Sequence, residues 1–286
     1  MSDAPLWPGG ARGALSLSFD NLGEAAELEL GAIEAGAPLG GHFTATEVLP
    51  ALLDRLGERG IAATFFVEGI NAEIYPELLA EIAARGHELA LHAWRHEQWG
   101  ELSPTQQAEN LARCLAAFER IGLEASGLRP PGGQLGEDGL GVLRRAGLRY
   151  CSPAGAGAGT EDGVALLPFQ WRHLDASCVL PPLAHVREQM TGSPEPVDPG
   201  AFVASLEREI EAVESGYLAI VLHPFMLGWL GAENLAALLD RIATASAGGE
   251  LWVAPCADVA EHVLANPERF RDGTALDASS WASWER

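Results

Sequence analysis

The chain has 286 residues, 48% of them hydrophobic, and a formal charge of −22. That is enough apolar material for a sizeable core, while the charge repels a nucleic-acid backbone or an anionic membrane surface. All 18 basic residues are arginine, so no lysine can form a Schiff base with a pyridoxal cofactor or complete a P-loop.

Residues 1–13 form an N-terminal segment with an acid at Asp3, no basic cluster and no apolar stretch of signal-peptide length, which predicts a cytoplasmic protein. From residue 14 to about 265, short apolar runs alternate with helix-length amphipathic segments, the pattern of strand–helix units around a parallel sheet. The predicted strands are 14–19, 62–67, 87–91, 127–129, 148–151, 164–167, 217–222 and 251–254. Eight strands suit a single-domain α/β barrel.

Between them, Thr44 with Glu47 and Ser103 with Gln106 have capping-box spacing, Pro104 sits in a first helical turn, and Asp198 before Pro199 starts another helix. Residues 154–159, AGAGAG, read as a mobile loop, because Thr160 stands where the last glycine of GxGxxG belongs. Residues 186–198 read as an excursion from the barrel, and 266–286 as a polar tail carrying Trp281 and Trp284. The longest apolar run, 217–232, is broken by His223 and Pro224 and is too short to span a membrane. Its end, PFMLGWLG with Met226 and Trp229, is a candidate surface for a second copy in a homo-oligomer. Cys114, Cys151, Cys178 and Cys256 form no CxxC pair and read as reduced core thiols.

In parallel barrels the working residues gather at the C-terminal ends of strands. Asp20, His92, Arg129 and His223 all stand at predicted strand ends. His92 and His96 are four apart, a spacing that puts both imidazoles on one side of a helical turn within reach of one ion. A helix-capping pair is the alternative. Ala93 occupies the place of the glutamate in HExxH, so a base must come from elsewhere. Asp20 can accept a proton from water, Arg129 can pair with Asp20, and His223 can protonate a departing nitrogen. Trp94, Trp99, Trp171 and Trp229 lie beside these motifs and are candidates for a pocket wall or for the core.

The ordered motifs SFD, HAWRH, RPPGG, LPFQWRHLDA and IVLHPF resemble those of the polysaccharide deacetylases, the NodB-homology or family-four carbohydrate esterases, over residues 14–265. The resemblance implies a distorted (β/α) barrel and metal-dependent hydrolysis of acetamido or related C–N bonds. It implies His92 and His96 as metal ligands, Asp20 as base, Arg129 orienting Asp20, and His223 as acid. Zinc is the implied cofactor, with Co, Ni or Mn also suiting the donors.

Two departures stand out. The usual FDD reads Phe19-Asp20-Asn21, so the third ligand is Asn21 through its carbonyl oxygen, Asp20, or Glu24 from the following loop. Gly132 replaces an aromatic residue, keeping a backbone N–H but losing a sugar-stacking ring. These features are closer to the allantoinase-like and atypical peptidoglycan-deacetylase-like subgroup, for which Trp171 and Asp175 become candidate pocket residues; Trp94, beside the histidines, and Gly132 are further candidate substrate contacts. The leading expectation is hydrolysis of a small amide, acetamido or cyclic imide substrate. The alternatives are a deacetylase of N-acetylated oligosaccharide or peptidoglycan fragments, and a catalytically silent barrel that binds a ligand.

Overall fold

The computed structural model describes residues 6–277 except 35 and 272. Eleven strands follow in chain order: β1 (Gly13–Asp20), β2 (Thr64–Val67), β3 (Glu88–Leu91), β4 (Gly127–Leu128), β5 (Tyr150–Cys151), β6 (Gly155–Ala156), β7 (Gly159–Glu161), β8 (Val164–Leu166), β9 (Tyr217–Leu222), β10 (Leu251–Val253) and β11 (Ala275–Leu276). The eight predicted strands are all present; β6, β7 and β11 are additional.

β1 is the axis of the sheet. One of its edges pairs in parallel with β9 from Ala14 to Phe19; the other pairs first with β10 at 13–15 and then with β2 at 18–20. From β2 the sheet continues in parallel through β3, β4, β5 and β8, and ends in the antiparallel β7. The sheet is curled but does not close through a continuous ladder. Among the described residues, an isolated bridge, Leu174 to Val221, takes the place of a ladder between the chain after β8 and β9. The distorted barrel expected from the sequence is therefore a single-domain α/β half-barrel. The helix Cys256–Ala265 packs against β1, β7 and β8 on the concave side, where its Val259 and Val263 are buried.

Alternation along the strands decides which side chains enter that concavity. In β1, Leu15, Leu17 and Phe19 point outward to the helices, while Ala14, Ser16, Ser18 and Asp20 have the opposite parity. Small side chains suit the crowded interior. The same parity puts Phe66 of β2, Ala90 of β3, Tyr150 of β5 and Tyr217, Ala219 and Val221 of β9 inside. Extending it past each strand end predicts the inward residues of the rim: Glu68, His92, Ser152 and His223.

Several local expectations change. Thr44 does not cap its helix; its Oγ accepts from Gly23 N–H (3.1 Å) and contacts His42 Nδ1 (2.7 Å), and the helix opens with a π turn, Thr44–Val48, before Leu49–Glu58. Ser103 and Gln106 do form a capping box, and Asp198 accepts from Ala201 N–H. Residues 154–159 are not a mobile loop, because they supply β6 and the start of β7. Their glycines allow close approach of 273–276: a Cβ at Gly157 would collide with the Gly273 backbone. The first half of the expected excursion is the helix Ala184–Thr191, with Val186 and Arg187 buried. Met226 and Leu230 are buried in their own chain and Trp229 packs on Phe202, so the PFMLGWLG run is largely spent internally. Trp7 and Phe270 pack together on the barrel, whereas Trp281 and Trp284 lie outside the described residues. The four cysteines are buried and free. No helix among the described residues is long and apolar enough to cross a membrane.

Candidate functional site

A cavity of about 420 Å³, counting its open mouth, lies at the C-terminal ends of the strands, with Asp20, Asn21, His92, His96, Arg129 and His223 among its lining. Each arrives from a different place in the sheet. Asp20 is the last residue of β1, His92 and Arg129 directly follow β3 and β4, and His223 directly follows β9.

Arg129 is the hub. Its Nη1 donates to Asp20 Oδ1 at 2.6 Å and to Ser18 Oγ at 2.8 Å, while Nε and Nη2 both donate to Ser152 Oγ, at 3.2 and 3.0 Å. The guanidinium lies 4.0 Å from the Phe66 ring centroid. Arg129 and Asp20 are both buried, so the pair depends on this full set of hydrogen bonds to offset its desolvation.

The HAWRH segment is a turn and not the helical turn expected from the four-residue spacing: Ala93 and His96 adopt left-handed backbones at φ 60° and 76°. The imidazoles still meet, with ring centroids 4.9 Å apart. His92 Nδ1 lies 2.8 Å from the Arg129 carbonyl, which can only accept, so Nδ1 carries the proton and Nε2 keeps its lone pair. Burial pushes the His92 pKa down to about 3, and burial followed by the neighbouring His92 pushes His96 well below its ordinary value. Both rings are therefore neutral at physiological pH, the form that binds a metal.

On the opposite wall, the main-chain N–H of His223 donates to Asp175 Oδ2 at 2.8 Å and its Nδ1 contacts Asp175 Oδ1 at 2.5 Å. Burial is the largest single influence and opposes charging this ring, but the charge and hydrogen bond of Asp175, joined by the charge of Asp20, together hold the pKa above its ordinary value. One site thus contains two neutral imidazoles and a third whose protonation is favoured.

Asn21, also left-handed at φ 62°, lines the cavity, and its Oδ1 is buried without a hydrogen-bond partner. Glu24 is committed elsewhere: Oε1 accepts from Gly40 N–H (2.9 Å) and Oε2 from Tyr75 Oη–H (2.5 Å), so it drops out as a ligand candidate. Among the described residues no three His, Cys, Asp or Glu side chains converge as a metal set. The donors present are two imidazoles and a carboxamide oxygen, which fit a borderline divalent ion with a neutral third donor.

Gly132, at φ 76°, and Trp171 line the cavity, Trp171 lying edge-to-face with Phe169 at 5.3 Å. Trp94 does not line it: the ring is buried in the core beneath the Arg113 guanidinium, 3.7 Å from its centroid. Trp99 is likewise in the core. Asp175 stands behind His223 instead of lining the cavity. Sequence reasoning missed Ser18, Ser152, Phe169 and Phe225; the inward parity of β1 and β5 was the signal that could have found the two serines. A neighbouring groove of about 850 Å³, open to solvent, shares the Trp171 wall and adds Gln170, Arg172, Gln189 and Met190.

Residues 15–151 match the family described as polysaccharide deacetylase. A peptidoglycan-N-acetylglucosamine deacetylase of Bacillus cereus is 30% identical over 95 residues, which cover 33% of this chain and 34% of that protein. The matched part thus spans about a third of that relative. A putative polysaccharide deacetylase from Mycobacterium smegmatis superposes with a TM-score of 0.76 at 26% identity, covering 96% of both chains. The structure titled Puue Allantoinase superposes at 0.72 with 19% identity, covering 93% of this chain and 95% of that one, a likeness of fold. Residues 15–151 thus match the polysaccharide deacetylase family, and the fold over almost the whole chain is that of the Mycobacterium smegmatis protein.

Proposed function

We propose that the protein hydrolyses a non-peptide carbon–nitrogen bond in a small amide, acetamido or cyclic imide substrate. The supporting observation is that the Asp20–Arg129 pair and His223, backed by Asp175, line one small cavity that also holds His92 and His96. Asp20, fixed by Arg129, accepts the proton of an attacking water. His223, whose Nδ1 is taken by Asp175, offers Nε2 to the leaving nitrogen, which departs as an amine and not as its anion. Leu174, Ala176 and Leu180 give the acyl side an apolar wall. His92, His96 and the Asn21 carbonyl oxygen would hold a divalent ion, zinc first among the candidates; when bound, it supplies Lewis acidity at the reacting carbonyl.

A second reading, deacetylation of an N-acetylated oligosaccharide or peptidoglycan fragment, is favoured by the family and by the groove beyond Trp171, where an aromatic face stands beside Gln170, Arg172 and Gln189. A cytoplasmic location fits the small-substrate reading and is checked by fractionation.

The test is elemental analysis of the purified protein and of His92→Ala, together with hydrolysis of an acetylated amino-sugar oligomer, a cyclic imide and a ureide. About one equivalent of metal in the unsubstituted protein only, with turnover of the imide or ureide, supports the leading reading; turnover of the oligomer alone supports the second. Neither metal nor turnover overturns both and leaves a ligand-binding barrel.

A further inference from the structure

Along β2 the concave-facing parity runs through Phe66 and reaches Glu68 one step beyond the strand end. Glu68 therefore belongs to the same ring of rim positions as Asp20, His92, Ser152 and His223, yet it does not line the cavity. Its side chain is 0% exposed, an uncommon place for a carboxyl group.

Oε2 of Glu68 accepts from Leu22 N–H at 3.2 Å and from Asn71 Nδ2 at 3.1 Å, and the same Nδ2 donates to the Leu22 carbonyl at 2.8 Å. One pair of side chains thus grips both backbone polar groups of the residue after Asn21. What they hold is strained: Asn21 and Gly23 are left-handed on either side of Leu22, at φ 62° and 61°. A non-glycine residue in that region persists where its surroundings over-determine it. The grip is not optimised for stability alone, since Asn21 Oδ1, Glu68 Oε1 and Asn71 Oδ1 are all buried without a partner.

We infer that Glu68, acting with Asn71, is a positioning residue that clamps Leu22 and so aims Asp20 and Asn21 into the cavity. Its catalytic consequence rests on the proposed function; its structural part does not. The clamp stands between the two residues at the end of β1 and the segment that follows Leu22, which opens with the short helix Ala25–Glu29. Glu68→Gln keeps an oxygen where Oε2 now accepts, whereas Glu68→Leu fills the volume and releases Leu22.

The experiment combines hydrogen exchange of the peptide containing Leu22, kcat and KM on whichever panel substrate is turned over, and melting curves for Glu68→Leu, Glu68→Gln and Asn71→Ala. In Glu68→Leu we expect roughly 10-fold faster exchange at Leu22 and a kcat about 100-fold lower with KM little changed, the scale of a misplaced reacting group. Glu68→Gln should restore both to within a few-fold. Unsubstituted-like exchange and kcat in a folded Glu68→Leu, or a Gln variant as impaired as the Leu variant, would overturn the inference. If Glu68→Leu does not fold, Asn71→Ala tests the other half of the clamp, with slower turnover and faster exchange expected and no change in either overturning it. Should the unsubstituted protein hydrolyse nothing, the proposed function fails separately, and exchange at Leu22 still decides the clamp.

Discussion

At the N-terminal ends of the strands, Thr64, Glu88, Tyr150 and Tyr217 are each the first residue of their strand and build a satisfied polar network. Thr64 Oγ accepts from Cys256 N–H and donates to Glu88 Oε2, both at 2.8 Å; Tyr150 Oη–H donates to Glu88 Oε1 at 2.7 Å, and Tyr217 Oη meets Cys256 Sγ at 3.6 Å. At the C-terminal ends the same concave face carries a buried ion pair, neutral imidazoles, three left-handed non-glycine residues and unpartnered oxygens. One end spends its polar groups on one another and the other holds them ready for a ligand. Strain and unmet hydrogen-bonding capacity also occur elsewhere, at His87 and Asp138 for instance, but on the concave face the left-handed residues Asn21, Ala93 and His96 stand beside the cavity, a physical argument for the site independent of any motif.

Breaking the C-terminal pole should cost activity first. Asp20→Asn keeps an oxygen for Arg129 but removes the base, and turnover of the panel substrate should fall about 10²–10⁴-fold while the melting curve stays cooperative. Arg129→Leu leaves Asp20 buried without its partner and should destabilise the fold by about 3–5 kcal/mol in urea titration; a loss under 1 kcal/mol would mean that the pair is not buried as described.

Asp175→Asn sharpens the contrast between His223 and the two neutral imidazoles. Because Asp175 raises the His223 pKa, an acid that must be protonated loses activity as pH rises through that raised value, and removing the carboxylate should move the alkaline limb of the kcat profile to lower pH. The same sign governs stability: the contribution of this pair is complete below the ordinary histidine value and is lost as pH rises through the raised one. A limb that stays in place would exclude His223 as the acid.

At the satisfied pole the effects should be smaller and confined to stability. Tyr150→Phe leaves Glu88 Oε1 without its donor and should cost about 1–3 kcal/mol with kcat unchanged. Burial raises the Glu88 pKa despite its hydrogen bonds, so its stabilising contribution is complete below the ordinary carboxylate value and lost as pH rises through the folded one. Glu88→Gln should flatten the fall of melting temperature over that window. Activity loss in either variant would erase the proposed division of labour between the poles.

Much of this was legible in advance because it is local. Eight strands were readable from short apolar runs, and the rim positions of Asp20, His92, Arg129 and His223 followed from where those runs stop. The Ser103 capping box and the Asp198 cap needed only neighbours in sequence. Thr44 had the same spacing and did not cap, because Gly23, 21 positions earlier, and His42, two positions earlier, offered its hydroxyl other partners. Trp94 sat inside the richest motif and went to the core, since the left-handed turn at Ala93 directs it beneath Arg113.

The sequence by itself determined the α/β class, the strand order in the chain, the polar residues at strand ends and the neutral amide at Asn21. Only the tertiary structure decided that the barrel stays half open around the helix Cys256–Ala265, that Glu24 belongs to a loop clamp, that Asp175 backs His223, and that Glu68 grips Leu22. The physical reason is range: hydrophobic periodicity and capping act over a few residues, whereas a buried hydrogen bond between Arg129 and Asp20, 109 positions apart, exists only once the sheet has curled.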